Sequence, residues 1–373
     1  MNPAPPAIAV FIPSLRGGGV ERNMLNLTRG MADAGFPVDL VLVSAEGPFL
    51  KMVDERVRVV DLKSGRVISA LPKLIRYLKD SRPEVLLSGM GHANIIAVIA
   101  RRLAGVPCRL VVSEHTLPSV IAKVASTPLS RTVPLLSRWF YPRADAVVVV
   151  SEDVGRNLRE ASGLRDELIT VIPNPVVTPE LAAGLARKAD HRFFAEGSPP
   201  VILGIGRLSH EKGFDVLIRG FGLLLESTDA RLLIVGEGED RPELETLVKE
   251  LGIQGQVDLP GFVDAVPSYI GQAAVVAMPS RIEGFGNALV EAMAGGVAVV
   301  ATDCPGGPSD ILEQGKFGPL VPFDDPAALA AGIEMALRDP VPAEVLKTRA
   351  AEYTLGSVVT RYLEVMGVRP NGH

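Results

Sequence analysis

Cysteine is nearly absent from this chain: Cys108 and Cys304 are the only two among 373 residues, far apart and without metal-ligand spacing around them. A disulfide-stapled fold and a zinc site are therefore excluded, and a reducing cytosolic setting is the expectation. Long apolar runs are lacking too. No stretch approaches the roughly 20 residues of a spanning helix, and MNPAPPAIAVF has no basic region ahead of a long apolar core, so neither secretion nor a membrane span is expected. Low-complexity sequence is scarce, which argues against disorder.

What is present is hydrophobic content of 47% with many Ala and Val, the composition of well-buried parallel sheets. A chain of this length exceeds one core at about 100 to 200 residues per domain, so two domains are expected. The net charge of −5 hides an asymmetry. Residues 1–178 carry 22 Lys plus Arg against 16 acids, whereas residues 179–373 carry 16 against 27. The basic first half suits an anionic partner, and equally an ordinary solvated face.

Strand-like and helical segments alternate along the chain. Ile8 to Ile12 reads as a strand, followed by Gly17-Gly18-Gly19 and a helix starting near Glu21 with apolar Val20, Met24, Leu27 and Met31. A dinucleotide fingerprint would place its third glycine where Arg22 stands, so that match fails. The strand Leu110 to Ser113 runs into Glu114-His115, at the edge where open α/β sheets bind ligands; a hydrogen-bonded loop histidine is the competing reading. Pro118 to Arg143 interleaves Lys123, Arg131, Arg138 and Arg143 with apolar residues including Trp139, suiting either an interfacial segment or a core helix with basic ends. Residues 179–199, rich in Ala, Gly and Pro, read as a linker.

In the second half, the strand Val201 to Ile205 leads into Gly206-Arg207-Leu208-Ser209-His210-Glu211-Lys212-Gly213. Arg207 offers a planar fork to phosphate oxygens and Lys212 a mobile point charge, though surface salt bridging would use the same residues. Glycines also follow Leu232 to Val235 and Val257 to Leu259. The stretch PSRIEGFGNALVEAMAGG then places Glu283 before Gly284 and Gly286, and Glu291 inside a helix opening near Asn287. Two carboxylates in different local structures, beside a helix start whose N–H groups lack acceptors, suit a nucleotide carrying phosphates and a sugar. A plain loop before a core helix fits the spacing as well.

The ordered set GGGVER, SEH, ADAVVVVSEDV, IPNPV, GRLSHEKGFDVLI, GEG, LPGF and PSRIEGFGNALVEAMAGGVAVVATDCPGGPSDIL resembles the retaining glycosyltransferases of family four over nearly the whole chain. The resemblance implies an α/β GT-B architecture, two Rossmann-like domains facing across a cleft. Residues 1–178 would form the acceptor-side domain and 179–355 the donor-nucleotide domain, with a helix in 356–373 crossing back to the first. It further implies that Arg207 and Lys212 bind and neutralise the donor diphosphate, Glu283 lies at the transferred sugar and Glu291 at the ribose. Gly284, Phe285, Gly286, Asn287 and Ala288 would line sugar and phosphates through backbone amides, and Phe262 and Val263 would meet the nucleobase. Gly18 and Gly19 would sit over the diphosphate, and His115 would approach the donor sugar as a catalytic residue.

The implied activity is retaining transfer of a hexose from a nucleotide-sugar, with UDP-sugars expected, to a glycan or polyprenyl-diphosphate-linked acceptor in cell-surface polysaccharide or lipopolysaccharide synthesis. No metal, other cofactor or nucleic acid is implied. Lys73, Arg76, Lys79, Arg131 and Arg138 are the expected contacts to an anionic membrane surface from the cytoplasmic side. Alternatives of other classes are a sugar-nucleotide epimerase or phosphorylase of the same fold, and a dinucleotide-dependent oxidoreductase or nucleotide-binding module. The last leaves Arg207, Lys212, Glu283 and Glu291 without a shared purpose.

Overall fold

A computed structural model describes residues 7–120 and 128–369, with side chains from 132 onward in the second range. Lys123 and the Arg131 side chain lie outside the described residues. The chain divides into two compact units, Met1–Pro175 with Leu355–His373, and Val176–Thr354.

In the first unit, seven strands form a sheet in which every pairing is parallel: β1 (Ile8–Ile12), β2 (Val38–Leu42), β3 (Arg58–Asp61), β4 (Val85–Gly89), β5 (Arg109–Glu114), β6 (Ala146–Val149) and β7 (Ile169–Val171). Their order is β3-β2-β1-β4-β5-β6-β7. β1, β2 and β4 are buried throughout, as expected of a sheet covered on both faces by helices. Asp39 in β2 is a buried charge in this sheet, its carboxylate held by the Arg58 guanidinium and by the Tyr77 hydroxyl at 2.6 Å. Chain order reverses between β1 and β4, so the crevice of this doubly wound sheet opens at the loops that follow those two strands. The helix after β1 begins at Gly19, two residues earlier than the apolar spacing places it.

The helix Leu355–Met366 belongs to this first unit. Its buried Val358, Val359, Tyr362, Leu363 and Met366 join the core built on β1 and β2. Gly30 admits it, because a Cβ there would strike Val359 and Leu355.

The second unit contains β8 (Val201–Ile205), β9 (Arg231–Val235), β10 (Val257–Gly261), β11 (Val275–Met278), β12 (Ala298–Thr302) and β13 (Leu320–Val321), again all parallel, in the order β10-β9-β8-β11-β12-β13. Its switch point falls between β8 and β11. Residues 179–199 are not a bare linker. They hold the helix Pro179–Leu185 and a turn at Arg192–Phe194, with Leu181 and Phe193 buried and His191 bonded to Asp258 at 3.2 Å. Composition misleads here because two buried apolar anchors suffice to order an Ala- and Gly-rich segment.

Candidate active site

The loops after β8 and β11 carry Arg207, Lys212 and Glu283, and the switch point puts them side by side. The two loops approach so closely that Gly213, at φ 65°, could carry no Cβ without overlapping the Pro279 carbonyl. Arg281 then pins them. Its guanidinium forks onto Asp215 at 2.9 and 2.8 Å, bonds the His210 carbonyl at 2.7 Å and reaches Asp324 at 2.5 Å, while its N–H donates to the Glu211 carbonyl. Asp215 loses solvation, but the Arg281 bonds outweigh that and leave its carboxyl below the usual range.

Glu283 is fixed from the far side by the loop after β12. Its N–H donates to the Pro305 carbonyl at 3.1 Å, and Gly306, at φ 131°, packs so tightly that any Cβ would overlap the Glu283 carbonyl oxygen. Thr302 steadies the start of the stretch with its hydroxyl on the Ser280 carbonyl at 2.5 Å. Thus positioned, the Glu283 carboxylate pairs with the Lys212 ammonium and accepts from Ser280 Oγ at 3.4 Å. Burial alone would depress Lys212; the adjacent Glu283 charge more than offsets it, so its pKa is raised and it is an ammonium at neutral pH. The nearby Cys304 thiol is pushed up to about 12 by burial and by Glu283, and stays protonated.

The other expected residues are distributed around this pair. Arg207 is exposed and makes no ion pair among the described residues. Glu291 is half-buried on the helix Asn287–Ala294, separate from the loop that holds Glu283. Gly286 opens that helix without a side-chain cap, and Asn287 and Ala288 form its first turn. The Phe285 side chain is buried edge-on against Tyr353, with ring centres 5.6 Å apart, so only its backbone can serve a ligand. Phe262 is 73% exposed just past β10, beside half-buried Val263. Gly18, Gly19 and His115 lie in the first unit, Gly18 and Gly19 at the start of the helix after β1 and His115 just after β5. The Glu21 carboxylate folds back over Gly18, a contact any larger residue there would block. His115 is buried, with Nε2 3.0 Å from Ser113 Oγ.

Sequence reading missed Arg281, Asp215, Thr302 and Gly306. An arginine three residues past one strand and an aspartate opening the helix after another are the visible signal, but their pairing spans 66 positions. Among the described residues, no cluster of three or more His, Cys, Asp or Glu is placed to hold a metal ion.

Two family models match the chain: Glycosyltransferase Family 4 over residues 17–180, and Glycosyl transferases group 1 over residues 187–353. The chain is 29% identical to N-acetylgalactosamine-N,N'-diacetylbacillosaminyl-diphospho-undecaprenol 4-alpha-N-acetylgalactosaminyltransferase of Campylobacter jejuni, covering 92% of this chain and 93% of that one. It is 27% identical to the amylovoran biosynthesis glycosyltransferase AmsD of Erwinia amylovora, over 80% and 81% of the two chains. The solved structure of HepE from Anabaena in complex with UDP and glucose superposes with a TM-score of 0.77 at 21% identity, covering 96% of this chain and 99% of the other. The chain is a GT-B-fold glycosyltransferase related to the family 4 and group 1 enzymes of bacterial polysaccharide and lipopolysaccharide biosynthesis.

Proposed function

We propose that this enzyme moves a hexose-type sugar from a nucleoside-diphosphate donor, with UDP-sugars favoured, to a glycan or polyprenyl-diphosphate-linked acceptor, with retention at the anomeric carbon. The observation that carries the reading is the pairing of charged Lys212 with Glu283 at the β8/β11 switch point, next to an exposed Arg207 free of ion pairs among the described residues. An arriving diphosphate meets two cations there, Lys212 held by Glu283 and Arg207 exposed. As the glycosidic bond breaks, negative charge grows on the leaving phosphate, and Arg207 and Lys212 stabilise it more than they stabilise the bound donor. Glu283 serves the transferred sugar and Glu291 the ribose, while the backbone of Gly284 to Ala288 lines the sugar and phosphates. Phe262 and Val263 take the base. Gly18, Gly19 and His115 are the ligand contacts proposed for the first unit.

The diphospho-undecaprenol substrate named for the Campylobacter relative and the UDP and glucose bound to HepE support the choice of acceptor and donor classes. A turnover screen across UDP-, GDP- and ADP-sugars with lipid-linked and soluble acceptors tests it. Transfer from a UDP-sugar is expected, and turnover equal in chelator and in added magnesium; no transfer from any nucleotide-sugar would refute it.

A second element is peripheral attachment to the cytoplasmic membrane face. Leu135 and Trp139, spaced four apart on the helix Pro128–Phe140, are 63% and 62% exposed, beside exposed Arg138 and Arg143. Exposed Lys73, Arg76 and Lys79 line the helix Leu71–Ser81. Basic heads with bulky apolar groups suit an anionic lipid surface. Among the described residues no helix is long and apolar enough to cross a membrane. Co-sedimentation with anionic vesicles, weakened by salt and by Trp139→Ser, is expected; absence of binding at low salt would refute attachment.

A further inference from the structure

The His115 ring sits in a buried chain of polar groups that the sugar-transfer reading leaves unexplained. Ser113 Oγ, fully buried on β5, lies 3.0 Å from His115 Nε2 and 3.0 Å from the Tyr362 hydroxyl of the helix Leu355–Met366. One hydroxyl thus joins a ring at the ligand-binding edge of the sheet to a tyrosine 249 positions away in sequence.

Proton counting fixes the direction of this chain. Each hydroxyl has one proton to give. Tyr362 is 1% exposed, and Ser113 Oγ is its one hydrogen-bond partner among the described residues. If His115 Nε2 carried the ring proton, Ser113 would accept it. Either the Tyr362 proton or the Ser113 proton would then be buried without an acceptor, which is unfavourable. Only one arrangement satisfies both hydroxyls: Tyr362 donates to Ser113, Ser113 donates to Nε2, and the ring proton is on Nδ1. The buried Nδ1–H then falls to the Asn174 side chain, the hydrogen-bonding group that acts on the ring. Burial supports the scheme at both ends, lowering His115 to about 4 and raising the Tyr362 phenol to about 12, so the ring is neutral and the phenol keeps its proton. The charged groups nearby are Glu114, whose carboxylate is taken up by the His115 N–H, Thr116 and Tyr141, and Arg361, next to Tyr362.

We infer that Tyr362 and Ser113 are positioning residues that lock His115 as the neutral Nδ1–H tautomer, with Nε2 occupied by the Ser113 hydroxyl, so that the ring moves no proton during the reaction. The bearing on catalysis rests on the sugar-transfer reading; the tautomer does not. The experiment uses the full chain labelled with 15N-histidine, and long-range proton–nitrogen correlation spectra of the substrate-free protein at pH 5.5 and 7.5, with His115 assigned by comparison with His115→Gln. A ring protonated on Nδ1 alone at both pH values is expected. Protonation on Nε2, or on both nitrogens at pH 5.5, overturns the lock in wild-type protein without any need for a variant.

Tyr362→Phe keeps the shape and frees the Ser113 hydroxyl. A mixture of tautomers and a kcat about tenfold lower, with the donor KM within about twofold, are expected. A pure Nδ1–H ring with unchanged kcat in that variant removes Tyr362 from the positioning role. His115 as Nδ1–H in a protein that transfers no sugar would uphold the tautomer and refute the function; Nε2–H in an active transferase would refute the lock alone.

Discussion

Replacing Lys212 by methionine separates its structural part from its catalytic one. The ammonium pairs with Glu283 in a setting where the two side chains are 25% and 17% exposed. Losing one partner of a fully buried pair costs roughly 3 to 5 kcal/mol, and an exposed pair is worth about 0 to 1. Partial exposure puts Lys212→Met between them, at about 2 kcal/mol. For a unit the size of Val176–Thr354 that corresponds to a fall in Tm of about 6 °C. Most of that cost is the stranded Glu283 carboxylate, so the double variant Lys212→Met/Glu283→Gln should recover about half of it, a coupling readable in a double-mutant cycle. Activity should not recover. The cation proposed to stabilise the departing phosphate is gone in both variants, and turnover should fall by about a hundredfold to a thousandfold in each. Denaturant melts of the four proteins, together with turnover at saturating donor, supply both readouts. Turnover of Lys212→Met within about threefold of wild type would refute the assignment, and additive stability losses would refute the pairing.

Arg207→Ala should leave Tm within about 1 °C, since an exposed side chain without an ion pair adds little to stability, yet raise the donor KM and lower kcat; unchanged kinetics would remove it from the site. Glu283→Gln should depress kcat with a modest change in binding of the nucleoside diphosphate, whereas Glu291→Gln should mainly weaken donor binding, as calorimetry with the diphosphate and steady-state kinetics would separate; equal loss of affinity in both would refute the division of roles. Gly306→Ala forces a Cβ onto the Glu283 carbonyl and should destabilise the protein by about 3 kcal/mol or more while reducing turnover, measured by melts and assay. A Gly306→Ala protein with wild-type stability would contradict the packing of that loop.

The parallel sheets were legible because their strands are continuous apolar runs such as Ile8 to Ile12, which a doubly covered sheet requires. Lys212 and Glu283 stand out as candidates in the sequence because each stands in a Gly-broken loop after a strand. Their direct pairing does not, since it depends on β8 and β11 being neighbours although β9 and β10 intervene in the chain. Arg281 escaped notice for the same reason: Asp215, Asp324 and the His210 carbonyl converge on it from two other loops. His115 was visible as a polar residue at a strand end, but its burial and its contact with Ser113 Oγ were not. Composition misjudged 179–199, where Leu181 and Phe193 pack inward among residues that read as a flexible connector.

The central claim is sugar transfer with retention, driven by cationic stabilisation of the leaving diphosphate. It is tested most directly by incubating the enzyme with a UDP-sugar, with and without a lipid-linked acceptor, while following free UDP by chromatography and the new linkage by proton NMR. The account predicts UDP release that depends on acceptor, matches product mole for mole, and gives the donor's own anomeric configuration. Release without acceptor, inversion at the anomeric carbon, or epimerised donor in place of product would contradict it.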